Sequence, residues 1–174
     1  LPSEEILNLF QEKKADVLNL QADNHGLSPE GNVFIADSIR KLHLDFVKRA
    51  FRDEITIIGK GGIAAAEHVP KLIVCGADAV VLDLALLVAL GCRVCEDCRA
   101  ESCPAELGKL DPELARKRIV NLACAWRDQL LEVLSAMGMR DIRRLRGEKG
   151  RAMFYDEIER ESFEFIFNDV GRRR

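Results

Sequence analysis

The sequence predicts an α/β fold built on a short parallel sheet. Three observations predict it: short continuous apolar runs, segments of helical periodicity between them, and regular alternation of the two in the order β-α-β-α-β-α. Apolar strands joined by helices imply parallel pairing, burial on both sheet faces and right-handed crossovers.

Residues 3–14 read as an opening helix, with Ser3 placed to cap it and Ile6, Leu7, Leu9 and Phe10 as its apolar stripe. Residues 15–21 (ADVLNLQ) read as the first strand, followed by the polar loop ADNHGLSPEGN. The second helix is predicted over 35–49, with Ile39, Leu42, Phe46 and Val47 on one face. Residues 54–58 (EITII) form the second strand, closed by Gly59-Lys60-Gly61-Gly62. A third helix over 64–75 follows, then Gly76-Ala77-Asp78 as a tight entry to the third strand at 79–82. The helix begun at 85–90 stops at Gly91. The character then changes. Asp111 opens a long helix to about 134, with Ile119, Leu122, Trp126, Leu130, Val133 and Leu134 at helical spacing. Gly138 ends it, a short helix over 141–145 follows, and an acidic helix starts at 156. No internal repeat or low-complexity segment is present.

Three strands are too few for a stable parallel sheet, and unpaired outer edges invite association. The sheet is therefore expected to be completed elsewhere, by the rest of a longer chain or by a partner chain in an oligomer. The lack of an initiator Met favours the longer chain.

The run GCRVCEDCRAESCP concentrates the chemistry, holding Cys92, Cys95, Cys98 and Cys103, four of the six cysteines. Thiolates so spaced can converge on one metal centre. The leading C-x2-C-x2-C gaps and the proline after the last cysteine are of the kind used by iron–sulfur ferredoxins. Zinc sites more often split their ligands into two knuckles. The spacing favours a cluster, with zinc as the alternative and disulfides as the bland one.

Of the 174 residues, 48% are hydrophobic and 32% charged, ordinary for a globular protein of one domain or slightly more. No apolar run reaches the roughly 18 residues of a membrane span, and there is no secretory segment or glycosylation sequon, so a cytoplasmic protein is expected. A net charge of -3 and 6% aromatics give no argument for nucleic-acid binding. Arg140, Arg143, Arg144, Arg146, Lys149 and Arg151 cluster, and the chain ends Arg172-Arg173-Arg174. These read as a solvated face and tail, with docking to an acidic partner or carboxylate as the functional alternative.

Gly61-Gly62-Ile63 follows the second strand and leads into a helix. Amides at such a junction can cradle an anion, although a double glycine also serves a simple turn. In an eight-stranded β/α barrel the loops after the last two strands often bind phosphate. If these are the last three strands of a barrel, Gly61-Gly62 lies in that place.

Taken together, ADNHG, the helical H-x-x-x-V, ITIIGKGGI, GADAVVLDLALLVALGC and C-x5-C-x4-CP resemble the C-terminal part of the FMN-binding barrel of glutamate synthase, above all the type found in archaea and anaerobic bacteria. The resemblance runs from about residue 15 to 167 and is most specific over 54–104. It implies the last strands of a (β/α)8 TIM barrel over 1–90, an iron–sulfur loop over 91–108 and a helical extension over 109–174. It further implies reduction of the imine of 2-oxoglutarate and glutamine-derived ammonia to glutamate by reduced FMN. Electrons would come through a [3Fe–4S] cluster from a reductase subunit or ferredoxin. Cys92, Cys98 and Cys103 match the family's ligand spacing. Gly61, Gly62 and Ile63 carry over to its first phosphate loop, and Asp83 falls in the second.

This chain departs from that pattern in three places. Asp83-Leu84 stands where the family has a small Gly-Thr or Gly-Arg type sequence, and a carboxylate repels phosphate unless a cation offsets it. Cys95 is an extra cysteine that either supplies a fourth ligand, giving [4Fe–4S], or stays unliganded. The first part of the barrel and the glutaminase domain are absent, so the fragment alone is expected to be inactive. The competing reading is a non-catalytic iron–sulfur or zinc-stapled module, a degenerate barrel in a larger redox assembly.

His25, with Asp23 and Asn24, lies in a loop after a strand, where barrel enzymes place catalytic groups, although a loop hydrogen-bonding role also fits. His43 and His68 read as structural, Cys75 and Cys124 as buried core thiols and Trp126 as a core anchor. Lys60 either faces an anion or lies on the surface.

Overall fold

The computed structural model describes residues 3–12, 15–29, 33–95 and 103–147. Cys98, Lys149, Arg151, the predicted acidic helix and the terminal arginines lie outside the described residues. The described elements are α1 (Ser3–Gln11), β1 (Val17–Gln21), α2 (Ile35–Lys48), β2 (Thr56–Lys60), α3 (His68–Cys75), β3 (Ala79–Val81), α4 (Leu84–Leu90) and α5 (Pro112–Ala136). Single 3-10 turns occupy Arg52–Glu54, Leu107–Lys109 and Ile142–Leu145. The strands form one parallel sheet in the order β1-β2-β3, with Gln21 opposite Lys60 and Lys60 opposite Val81.

The core lies between this sheet and its helices. On α2, Ile35, Ile39, Leu42 and Phe46 are buried at spacings of four and three, the period of one helical face. Val47 leaves that face and is exposed, against the sequence expectation, as is Leu9 of α1. Phe46 meets the edge of Phe10 at 5.6 Å between ring centroids, pinning α1 to α2.

The second strand lies two residues later than predicted, because residues 52–54 turn and Gly59 pairs as a strand residue. A Cβ on Gly59 would lie 2.9 Å from Ile39 Cδ1 and 3.5 Å from Leu72 Cδ1. The missing side chain thus lets α2 and α3 close on the strand. The third helix begins at His68 rather than 64, since the residues before it turn. It ends at Gly76 (φ +120°), where a Cβ would lie 2.4 Å from His43 Cβ.

Burial on both sheet faces was expected, and the structure corrects this. Ile57 is fully buried on the helix side, whereas Val17 and Ala79 are exposed and Ile58 and Val81 are only partly covered. Among the described residues, helices cover only one face and no strand pairs with the outer edge of β1 or β3.

Asp111 caps α5 by accepting the Leu114 N–H at 3.0 Å, and Pro112 fits the first turn. Trp126 and Leu134 are buried, with Leu122 and Leu130 packed against the core. Cys124 is exposed rather than buried. Two residues separate it from Trp126, about 200° around the helix, so it points away from the packed face.

Candidate functional site

The carboxyl ends of β1 and β2 bring two loops into backbone contact. After β1, the Asp23 carboxylate accepts the N–H groups of His25 and Leu27, both at 2.8 Å. The Leu27 N–H, helped by that of His25, holds its carboxyl below the usual carboxylate range against the opposing effect of desolvation. This turn, with an antiparallel bridge between Leu27 and Phe34, folds the loop back over Gly62. A Cβ on Gly61 (φ +107°) would lie 2.3 Å from the Ala22 carbonyl oxygen, and one on Gly62 (φ +68°) 2.6 Å from Gly26 Cα. Both glycines therefore serve close loop packing as well as left-handed backbone.

Replacement of Gly62 by alanine adds strain to a clash with backbone and is expected to cost about 2–4 kcal/mol. A urea denaturation midpoint unchanged in that variant would contradict this loop packing.

Among the described residues, the N–H groups of Gly61, Gly62 and Ile63 donate to no protein acceptor. Three such amides on a glycine turn suit an oxyanion, so the residues present fit a phosphate group. Beside them lies a cleft of about 270 Å³ whose lining includes His25, Gly62, His68 and Lys71. His68 Nδ1 sits 3.1 Å from the Gly62 carbonyl oxygen and 3.3 Å from the Ala64 nitrogen, so the ring braces the glycine turn.

Lys60 and Asp83 meet on the sheet face that the helices leave open. Lys60 Nζ is 3.9 Å from Asp83 Oδ2, and each side chain is about one third exposed. Asp83 Oδ1 accepts the Leu84 N–H at 2.7 Å and so starts α4. The sequence marked these two residues separately; the sheet brings them together.

The cysteine loop leaves α4 at Gly91, which adopts the left-handed backbone common after helices. Arg118 Nη1 donates to the Leu90 carbonyl at 2.8 Å, fastening α5 to the end of α4. Cys92 is half-buried, with its Sγ accepting the Val94 N–H at 3.4 Å, while Cys95 and Cys103 are exposed. The Cys103 thiol is held below its ordinary value, first by the Leu107 N–H and then by the Ala105 N–H. Anion-favouring amides suit a thiolate ligand. Among the described residues no three metal-ligating side chains converge, and none of the five described cysteines forms a disulfide. As a donor set, closely spaced thiols at a loop surface fit an iron–sulfur centre or zinc.

The opposite end of the sheet carries a network that sequence reasoning missed. Arg52 is 5% exposed and donates to His43 Nδ1 (3.0 Å), the carbonyls of Ile55 and Gly76 (both 2.6 Å) and Asp78 Oδ2 (2.8 Å). Asp78 Oδ2 also accepts the Ile57 N–H at 2.8 Å. Arg146, expected on a solvated or docking face, instead bridges Asp78 and Asp53, each at 2.7 Å. The signal in the sequence was slight: an acidic residue directly before a strand.

The family model described as "conserved region in glutamate synthase" matches residues 33–140, from the end of the first loop to just beyond α5. The archaeal glutamate synthase [NADPH] of Methanocaldococcus jannaschii is 41% identical over 112 residues, 60% of this chain and 22% of that protein. Its counterpart from Archaeoglobus fulgidus is 37% identical over 106 residues, 56% of this chain and 21% of that protein. The glutamate synthase [NADPH] large chain of Azospirillum brasilense is 21% identical over 146 residues, 76% of this chain and 10% of that protein. The chain spans about a fifth of the length of its archaeal relatives. No solved structure matches it.

Proposed function

Because the chain belongs to the glutamate synthase family, we propose that it supplies the last strands and the iron–sulfur loop of a flavin-dependent barrel that forms glutamate from 2-oxoglutarate and glutamine-derived ammonia. One observation carries this beyond family membership: the N–H groups of Gly61, Gly62 and Ile63 donate to no acceptor among the described residues, on a glycine turn at the carboxyl end of β2, where barrel enzymes hold phosphate. In this reading those amides hold the phosphate of FMN, and Cys92, Cys98 and Cys103 ligate the cluster, with Cys95 as the candidate fourth ligand. When bound, the flavin supplies hydride and the cluster supplies single electrons. The protein's part is to fix the phosphate, start α4 at Asp83 and anchor the cysteine loop through Arg118. The remaining strands come from the rest of a longer chain or a partner chain, which pairs with the open edges of β1 and β3 and covers the exposed sheet face. A reductase subunit or ferredoxin is the electron donor.

A non-catalytic redox module is the second reading, favoured by the carboxylate of Asp83 in the second phosphate loop. Purification without oxygen, followed by iron, sulfide, zinc and flavin analysis with EPR, separates the two. Iron with matching sulfide plus bound FMN is expected. Iron and sulfide without flavin affinity in the assembled barrel would favour the relay module, and zinc would overturn both redox readings.

A further inference from the structure

The cysteine loop begins where the fold places a cation. α4 ends at Gly91, and the carbonyl end of a helix there adds to the negative charge of a thiolate on Cys92. The Cys92 N–H is spent on the Leu87 carbonyl at 2.9 Å, and Cys92 Sγ accepts only the long contact from the Val94 N–H, at 3.4 Å, among the described residues. Arg118 enters from α5. Its Nη1 donates to the Leu90 carbonyl at 2.8 Å and lies 3.3 Å from where a Cβ on Gly91 would stand. The bare glycine thus admits the guanidinium against the backbone one residue before Cys92. Backbone dimensions place that nitrogen within about 9 Å of the Cys92 Cα.

Arg118 is half-buried, and among the described residues no carboxylate pairs with it. Arg93 of the loop and Arg116 and Lys117 of the same helix are exposed, where water and salt screen them. Arg116 is also engaged by Glu113 at 2.9 Å.

We propose that Arg118 sets the reduction potential of the iron–sulfur centre on the cysteine loop, a role that rests on the iron–sulfur reading above, by holding a partly desolvated positive charge beside Cys92. Net charge and hydrogen bonding are among the properties that fix such a potential. The centre takes up one electron from its donor, the reductase subunit or ferredoxin, and becomes more negative. A cation nearby favours that uptake. With an effective dielectric constant of about 20, a unit charge about 10 Å away shifts the equilibrium on the order of tenfold. Arg118 is not a ligand; it acts through the field at Cys92.

The test is an EPR-monitored redox titration of the full chain, purified without oxygen, with iron and sulfide measured on each sample. Arg118→Gln keeps an N–H donor and removes the charge. Its midpoint should fall by about 60 mV, a tenfold drop in the ratio of reduced to oxidised centre at fixed potential. Arg118→Lys keeps the charge and should bring that ratio back to within about threefold of the parent. A purely structural role would change iron content or the thermal transition and leave the midpoint of the remaining centres where it was. If glutamine empties the site, iron retained in Arg118→Lys would uphold the need for a cation there, and iron lost from both would overturn it. Equal midpoints in the parent and Arg118→Gln would overturn the role of Arg118 and leave the iron–sulfur reading standing. A parent without iron and sulfide would overturn both.

Discussion

Replacement of Arg52 by methionine will destabilise the protein by about 3–5 kcal/mol, because it removes one partner of a buried ion pair and strands the groups around it. The guanidinium serves two carbonyls, an imidazole and a carboxylate from three separate stretches of chain. Methionine fills the volume but donates nothing, leaving the Ile55 and Gly76 carbonyls buried without this donor. Urea denaturation measures the loss, and a change below about 1 kcal/mol would mean that water replaces the guanidinium.

The same network gives a pH signature. Burial alone would push the Asp78 carboxyl up; the Ile57 N–H and the guanidinium groups of Arg146 and Arg52 outweigh it and hold the group below its ordinary value. A carboxylate depressed on folding contributes stability that is fully present above its unfolded pKa of about 3.9. That contribution is lost as pH falls through the lower folded value. Acid unfolding should therefore begin at higher pH in Arg52→Met, where one of the two cations is gone. Identical acid midpoints would show that Arg146 alone sets the Asp78 charge.

On the proposed reading of the cysteine loop, Cys103→Ser will remove most bound iron and sulfide while leaving the thermal transition of the α/β layer within a few degrees. The thiol sits in an exposed loop whose amides favour thiolate, outside the packed core. Serine keeps the size but is a poor ligand for iron at neutral pH. Cys92→Ser is expected to behave alike. Cys95→Ser should retain iron, with the EPR signal of a three-iron centre if Cys95 is a fourth ligand in the parent. Iron and sulfide contents unchanged in Cys103→Ser would remove that residue from the ligand set; complete metal loss in Cys95→Ser would make Cys95 essential.

Much of the fold was legible because it is local. The buried face of α2 is written in the spacing of Ile35, Ile39, Leu42 and Phe46, and α5 announces itself through Asp111, Pro112 and the repeat through Trp126. Strand limits were harder: Gly59 reads as a closing turn until Ile39 and Leu72 are seen packed against it.

The sequence by itself determined the order of strands and helices, the family, and the residue types available for a cluster and an anion seat. Tertiary structure alone decided which of them meet. Arg52 reaches Asp78 across 26 residues and Arg146 reaches it across 68, separations that leave no trace in a helix or strand period. Lys60 and Asp83 become neighbours only because β2 and β3 pair in parallel register. Gly61 and Gly62 are required because another loop rests on them. Local periodicity records which face a residue takes on its own element; only packing records what lies across from it.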